Sequence, residues 1–320
     1  MKQDTTPDVA PTADAAAPPT AADVRAAAAR IEGRVRPVAL AAAAPGVWFA
    51  LEHLQHTGSF KARGARNFLA AHRAAGTLPA AGVAIASGGN AGLACAWAAR
   101  EEGVPATVFL PETAPPVKVA RLRGYGADVR LRGAEYAEAL AASQAYAADS
   151  GALLSHAYDH PLIAAGAGTL VGEIRGRLPE LDSLVVSVGG GGLFAGVAAA
   201  AREHGIRVTA VEPENCRALH AALEAGRPVD VAVDSVAADA LGARRVSAAA
   251  LAAAEHPDVT AVLVPDAEIV RARRLLWDEH RIAVEHAAAT AYAALAATGP
   301  LGRCTAVVLC GANTDPSDLL

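Results

Sequence analysis

Lysine is scarce in this chain, so each one retained invites a chemical reason. Among 320 residues there are 28 Lys and Arg, of which only Lys2, Lys61 and Lys118 are lysine, leaving 25 arginines. Arginine stays protonated, whereas a lysine can lose its proton and attack a carbonyl. Chance retention is the competing account, and it is the natural one for Lys2. Lys61 stands in the polar run His56-Thr57-Gly58-Ser59-Phe60-Lys61-Ala62-Arg63-Gly64-Ala65, which reads as a turn opening a helix. The positive end of a helix and partial desolvation both disfavour a charged amine at that junction. The chemistry expected of it is that of an amine nucleophile that later acts as a base.

Two glycine-rich turns accompany it. Val185-Val186-Ser187-Val188 reads as a buried strand running into Gly189-Gly190-Gly191-Gly192-Leu193 and then a helix. Converging backbone N–H groups ahead of a helix N-terminus form a phosphate cradle that needs no cationic side chain. The run lacks strict GxGxxG spacing and the acidic residue of a dinucleotide site; taken alone, it could be a plain strand–helix connection. The second turn, Ala86-Ser87-Gly88-Gly89-Asn90-Ala91-Gly92, offers the Ser87 and Asn90 side chains beside free N–H groups, a fit for a carboxylate. Asn90 has a competing reading as a simple helix N-cap.

Such turns need strands to aim them. Short β-rich runs alternate with alanine-rich stretches, the pattern of an α/β fold with mainly parallel strands. Strands are expected at 47–51, 83–86, 107–110, 128–131, 183–188, 207–211, 261–264 and 305–309, and helices at 90–102, 116–125, 135–149, 193–203, 266–280 and 285–297. Ligands in such sheets bind beyond the carboxyl ends of strands, so the turns after Ala86, Val188 and Leu309 are where chemistry is expected.

Composition narrows the partners. At 53% apolar residues the chain can bury a large core, and a net charge of −5 without a basic stripe argues against nucleic acid. No apolar run approaches the roughly 20 residues of a membrane span. Residues 1–25, rich in Ala, Pro, Thr and Asp, read as a disordered tail and not as a secretory signal. Cys95, Cys216, Cys304 and Cys310 show no CxxC pairing, as expected of reduced thiols in a cytoplasmic protein. His53, His56, His156 and His160 lack metal-ligand spacing, and the cluster Arg271, Arg273, Arg274 reads as a solvated helix face.

Together, Ser59-Phe60-Lys61-Ala62-Arg63-Gly64, Ser87-Gly88-Gly89-Asn90-Ala91-Gly92, Gly189 to Leu193 and Cys310-Gly311-Ala312-Asn313 resemble the serine/threonine dehydratases, pyridoxal-phosphate enzymes of fold type II. The resemblance runs from about Arg36 to the C-terminus. It implies two domains of open, twisted parallel sheets with flanking helices: residues 26–60 plus 160–320 as a large cofactor-binding domain, and 61–159 as a small substrate-side domain. It further implies that Lys61 carries pyridoxal 5'-phosphate as a Schiff base beside Phe60, and that Gly189, Gly190, Gly191, Gly192 and Leu193 hold the phosphate. Ser87, Gly88, Gly89, Asn90 and Ala91 would bind the substrate carboxylate, with Asn90 also near the cofactor's phenolic oxygen. Cys310 would face the pyridine nitrogen, where a thiol cannot keep the ring protonated as a carboxylate would; that favours elimination over transamination. The residue-level alternative for Cys310 is a small buried hydrophobe.

The expected activity is β-elimination from L-serine, L-threonine or a related 3-hydroxy amino acid, giving a 2-oxo acid and ammonia. Ala91 and Cys310 both match the catabolic serine dehydratase branch. Gly88 stands where related racemases carry a second acid, serine, which disfavours racemisation. The segment Asp234 to Gly242 is expected near the substrate, while Ala167 and Ala312 replace a common Gln and Gly. Glu212 matches a monovalent-cation ligand of some members, against a plain reading as a surface carboxylate. A homodimer is the family habit. The seven residues after Asn313 leave no room for a regulatory domain, so end-product inhibition is not expected. A β-replacement synthase of the same fold and a non-catalytic amino-acid-binding homologue remain alternatives; a nicotinamide dehydrogenase explains neither Lys61 nor Cys310.

Overall fold

The computed structural model describes residues 18–299 and 301–319. Its strands are β1 Leu40–Ala44, β2 Val47–Ala50, β3 Val83–Ala86, β4 Ala106–Leu110, β5 Asp128–Leu131, β6 Leu153–Leu154, β7 Ser183–Ser187, β8 Arg207–Pro213, β9 Val259–Val264 and β10 Thr305–Val308. They form a six-stranded sheet in the order β1-β2-β10-β7-β8-β9 and a four-stranded sheet in the order β5-β4-β3-β6. Only β1 runs antiparallel, against β2; every other pairing is parallel. Strands β3, β4, β7 and β10 are buried throughout, which is why they read as unbroken apolar runs.

The strand orders fix where a ligand can sit. In the large sheet the chain steps from β7 to β8 to β9 and then returns to lay β10 on the other side of β7. In the small sheet it steps from β3 to β4 to β5 and returns to lay β6 beside β3. Each reversal opens a crevice at the carboxyl ends of the strands flanking it. The turns after β7 and β10 share one crevice, those after β3 and β6 the other.

Local departures from expectation have local causes. Residues 1–17 of the expected tail lie outside the described residues, but Ala21–Ile31 is a helix that begins inside it. Thr20 and Asp23 form a reciprocal capping box, and Val24, Ala27 and Ile31 present one buried face. Helices Pro161–Gly168, Leu170–Arg177, Ala218–Ala225 and Ala248–Ala254 were also not expected. Pro161–Gly168, Ala218–Ala225 and Ala248–Ala254 are rich in small residues and carry little polar contrast for periodicity to reveal, while Leu170–Arg177 is a run of only 8 residues, too short for a period to declare itself. Helix Lys61–Ala74 crosses Pro161–Gly168 at backbone contact: a Cβ on Gly64 would lie 2.6 Å from the Ile163 carbonyl oxygen.

Arg63, wholly buried in that helix, binds elements beyond it. Its guanidinium donates a fork to Glu52 (2.8 Å and 2.8 Å), further bonds to Glu173 (2.6 Å and 3.0 Å) and one to Thr169 (3.2 Å). The turn after β2 and helix Leu170–Arg177 are thereby tied to the helix that begins at Lys61. Arg273 corrects the solvated-face reading. It is buried and donates to the Val284 and Asp315 carbonyls and to Asp318, so only Arg271 and Arg274 of that cluster face outward. Among the described residues no helix is long and apolar enough to cross a membrane.

Candidate active site

The segment before Lys61 is strapped to the segment after β10. Phe60 N–H donates to the Cys310 carbonyl (3.0 Å), Ala312 N–H donates to that of Gly58 (2.9 Å), and Ser59 bridges Gly311. Lys61 therefore opens its helix above the crevice between β7 and β10. Its Nζ donates to the Ala157 carbonyl beyond β6 (2.7 Å) and lies 5.1 Å from the Phe60 ring centre. Burial lowers its pKa to about 8, against the opposing pull of Cys310 and Glu285. In cofactor-free protein the amine should gain reactivity toward an aldehyde as pH rises through about 8, because only the unprotonated form attacks. Borohydride trapping followed by mass spectrometry across pH 6 to 10 would check this; a rise centred near an ordinary lysine value would refute it.

The tetraglycine turn is shaped by its neighbours. Gly191 takes φ +93°, which side chains rarely adopt, and a Cβ on Gly190 would fall 2.3 Å from the Tyr158 ring. On Gly192 it would fall 2.7 Å from the Tyr158 carbonyl oxygen. Tyr158 is itself anchored, its hydroxyl donating to the Arg245 carbonyl (3.0 Å). Helix Gly192–Arg202 follows, so the first N–H groups of that helix have no partner within it and the dipole favours an anion. Gly190→Ala should weaken pyridoxal phosphate binding about ten-fold, the effect of one to two kcal/mol of overpacking. Fluorescence titration of cofactor-free protein would show it.

At the end of β3, Gly89 is the N-cap residue and Asn90 opens the helix, so Asn90 is not the N-cap. Its amide is committed elsewhere. Nδ2 donates to both Glu285 oxygens (2.9 Å and 3.1 Å), and Oδ1 accepts from Asn313 Nδ2 (2.7 Å). Ser87, Gly88 and Gly89 are partly exposed beyond the end of β3, and Ala91 is buried. Gly88 lies under Leu110 and Lys118; a Cβ there would meet Leu110 at 2.8 Å. Lys118 pairs with Asp239 (2.5 Å), joining helix Pro116–Gly124 to Ala238–Leu241 and bringing the segment expected near the substrate to the mouth of the cleft.

Cys310 is buried with its sulfur 3.6 Å from Ser187 Oγ, and burial, then the Glu285 charge, push its thiol up to about 12. It therefore stays a neutral thiol; it packs into the large sheet's apolar core, as a small buried hydrophobe would, with Ser187 as a polar neighbour. Glu285 was missed because it reads only as the start of a helix. It is buried, its pKa raised by desolvation, and close enough to Lys61 and Cys310 to be felt by both. Nothing local singles it out: it is an acid between Arg281 and His286 at the start of an alanine-rich helix. Glu212 departs from its plain reading as a surface carboxylate. It is fully buried and accepts from Leu219 N (2.7 Å), His220 N (3.0 Å) and His220 Nδ1 (2.9 Å), closing the start of helix Ala218–Ala225. Among the described residues no group of three His, Cys, Asp or Glu is disposed to hold a metal ion.

Pyridoxal phosphate fits these residues. A lysine of lowered pKa, a cradle in which Gly190 and Gly192 have no room for a side chain, and a neutral thiol beside it converge from both sheets. The family model described as "Pyridoxal-phosphate dependent enzyme" matches residues 34–311. An L-threonine ammonia-lyase of Geobacter sulfurreducens is 38% identical over 84% of this chain and 67% of its own length. A serine dehydratase-like protein of Mus musculus is 37% identical over 86% of this chain and 87% of its own. The structure of maize serine racemase superposes with a TM-score of 0.87 at 27% identity, covering 94% of this chain and 96% of that one.

Proposed function

This chain belongs to the family of pyridoxal-phosphate dependent enzymes, and from that membership we propose that it dehydrates and deaminates a small 3-hydroxy amino acid, L-serine, L-threonine or a relative, to a 2-oxo acid and ammonia. The observation that carries the reading is Lys61, of lowered pKa, held at the Ala157 carbonyl next to the Tyr158 that packs on the glycine turn, and close enough to Cys310 for the two to act on each other's pKa. Bound pyridoxal phosphate supplies the sink for charge left on the substrate's α-carbon. Lys61 takes the α-proton as an uncharged amine. The Ser87 to Ala91 turn orients the substrate by its carboxylate, and the cradle of Gly189 to Leu193 holds a phosphate without a competing cation. Cys310 offers no charge to keep a ring nitrogen protonated, which suits prompt loss of the β-hydroxyl. The relatives named L-threonine ammonia-lyase and serine dehydratase-like both support this reading, and Gly88 argues against racemisation as the main activity.

In this reading residues 26–60 and 160–320 bind the cofactor and 61–159 serve the substrate, in keeping with which sheet supplies which turn. A cytoplasmic setting accords with four buried free thiols; a homodimer follows the family. A cation at Glu212 would have to compete with three donors. The test is to add L-serine, L-threonine and bulkier 3-hydroxy amino acids to cofactor-loaded protein and measure ammonia and 2-oxo acid. Release of both from any of them is expected. A new amino acid formed only with an added thiol would replace this reading with β-replacement, and a spectral change without product would replace it with a binding protein.

A further inference from the structure

We infer that a one-way hydrogen-bond relay, Arg121–Asn313–Asn90–Glu285, fixes the orientation of the Asn90 amide, with Arg121 and Glu285 as positioning residues at its two ends. This deepens the proposed function and rests on it for what Asn90 faces.

An asparagine amide can turn over, exchanging its donor and acceptor ends at almost no cost in shape, so only its partners decide the matter. Here they decide it from both sides. Arg121, on the exposed face of helix Pro116–Gly124, has only donors and gives one to Asn313 Oδ1. The Thr57 carbonyl can only accept, and it takes a hydrogen from Asn313 Nδ2 at 2.7 Å. Asn313 is thus held with its oxygen toward Arg121 and its nitrogen inward. Its second N–H reaches Asn90 Oδ1 at 2.7 Å, which turns the Asn90 nitrogen toward Glu285, whose two oxygens accept from it. Gly311 permits that approach: a Cβ there would lie 2.3 Å from Glu285 Oε1.

The two oxygens of one carboxylate lie closer together than the two N–H bonds of an amide diverge, so Glu285 takes a single shared N–H and the Asn90 nitrogen keeps a second for a ligand. The groups assigned to that place, a carboxylate and a phenolic oxygen, are both acceptors. A turned amide would meet them with its own oxygen. Thr57 adds a structural sign that this junction is held firmly: it is β-branched yet takes φ +62°. Bonds in such a chain also strengthen one another, so the ends act on the middle.

The test uses cofactor-free protein titrated with pyridoxal phosphate, reading the dissociation constant and the absorption spectrum of the bound chromophore for wild type, Glu285→Gln, Arg121→Gln, Arg121→Lys and the double Gln variant. A glutamine at either end offers both donor and acceptor and removes that end's constraint, leaving Asn313 in Arg121→Gln held by the Thr57 carbonyl alone. Glu285→Gln should weaken binding about ten-fold, the loss of one hydrogen bond to a charged group, and shift the absorption maximum. Arg121→Gln should do the same in smaller measure. Arg121→Lys, again donor-only, should restore the wild-type values, and the double variant should be less than additive. Wild-type affinity and spectrum in both Gln variants, or Arg121→Lys behaving as Arg121→Gln, would overturn the relay. If circular dichroism shows Glu285→Gln to be misfolded, the surface pair at Arg121 decides. A wild-type protein that forms no chromophore would sink the functional reading, and the relay's role with it.

Discussion

Replacing Lys61 by alanine is expected to abolish ammonia release from the preferred 3-hydroxy amino acid, a loss of about 10⁴-fold or more, and to remove the Schiff-base absorbance altogether. Two duties fail together. The Nζ that would bond the cofactor is gone, and so is the base that would take the α-proton. No neighbour can take over: Cys310 holds its proton up to about 12, and Glu285, though buried nearby, is engaged with Asn90. The cradle does not depend on Lys61, so noncovalent binding of pyridoxal phosphate should survive in weakened form. The measurement is a ninhydrin-free ammonia assay beside an absorption spectrum of the same sample. Persistence of the Schiff-base band in the alanine protein would show that another amine carries the cofactor.

The second large effect is on stability. Arg63→Ala should destabilise the fold by about 3–5 kcal/mol, because it leaves the Glu52 carboxylate, 1% exposed, without its counter-charge. Breaking a buried pair from one side costs more than the pair contributes, since the remaining charge cannot reach water. Arg63→Lys should recover only part of the loss, as an ammonium cannot present a fork to Glu52 and reach Glu173 as well. The surface pair Arg25–Glu203 is the control, its partners 60% and 41% exposed, and removing it should cost less than about 1 kcal/mol. Urea unfolding at constant slope would compare them. Equal midpoints for Arg63→Ala and Arg25→Ala would refute the argument. Where the Arg63 variant remains folded, cofactor loading should also suffer, for the guanidinium fastens the helix that starts at Lys61.

The chemistry of this protein was legible because its decisive pieces are short and local. A lysine kept among arginines, four consecutive glycines after a buried strand, and the Ser87 to Ala91 turn each declare a backbone geometry within a few residues, and parallel strands dictate that such turns gather at one end of a sheet. The apolar runs of β3, β4 and β7 likewise announce burial on both faces. Alanine-rich helices such as Pro161–Gly168 and Ala248–Ala254 were not legible, since periodicity needs contrast between faces and small residues give little. The helix at Ala21 was hidden by a composition that resembled a tail.

The sequence by itself determined which groups are available: a lysine kept among arginines, two glycine-rich turns and a thiol. Only the tertiary structure decided what those groups do to one another. It set Tyr158 against Gly190, so that glycine there is a matter of space. It buried Glu212 as a helix cap and Arg273 beneath the surface. It made Asn90 a link between Asn313 and Glu285 where a helix cap was the simpler reading. Glu285 itself, 224 positions from Lys61 in the chain, has no local signature at all. Its significance lies in desolvation and in the charges facing it, and these exist only once β7 and β10 lie side by side.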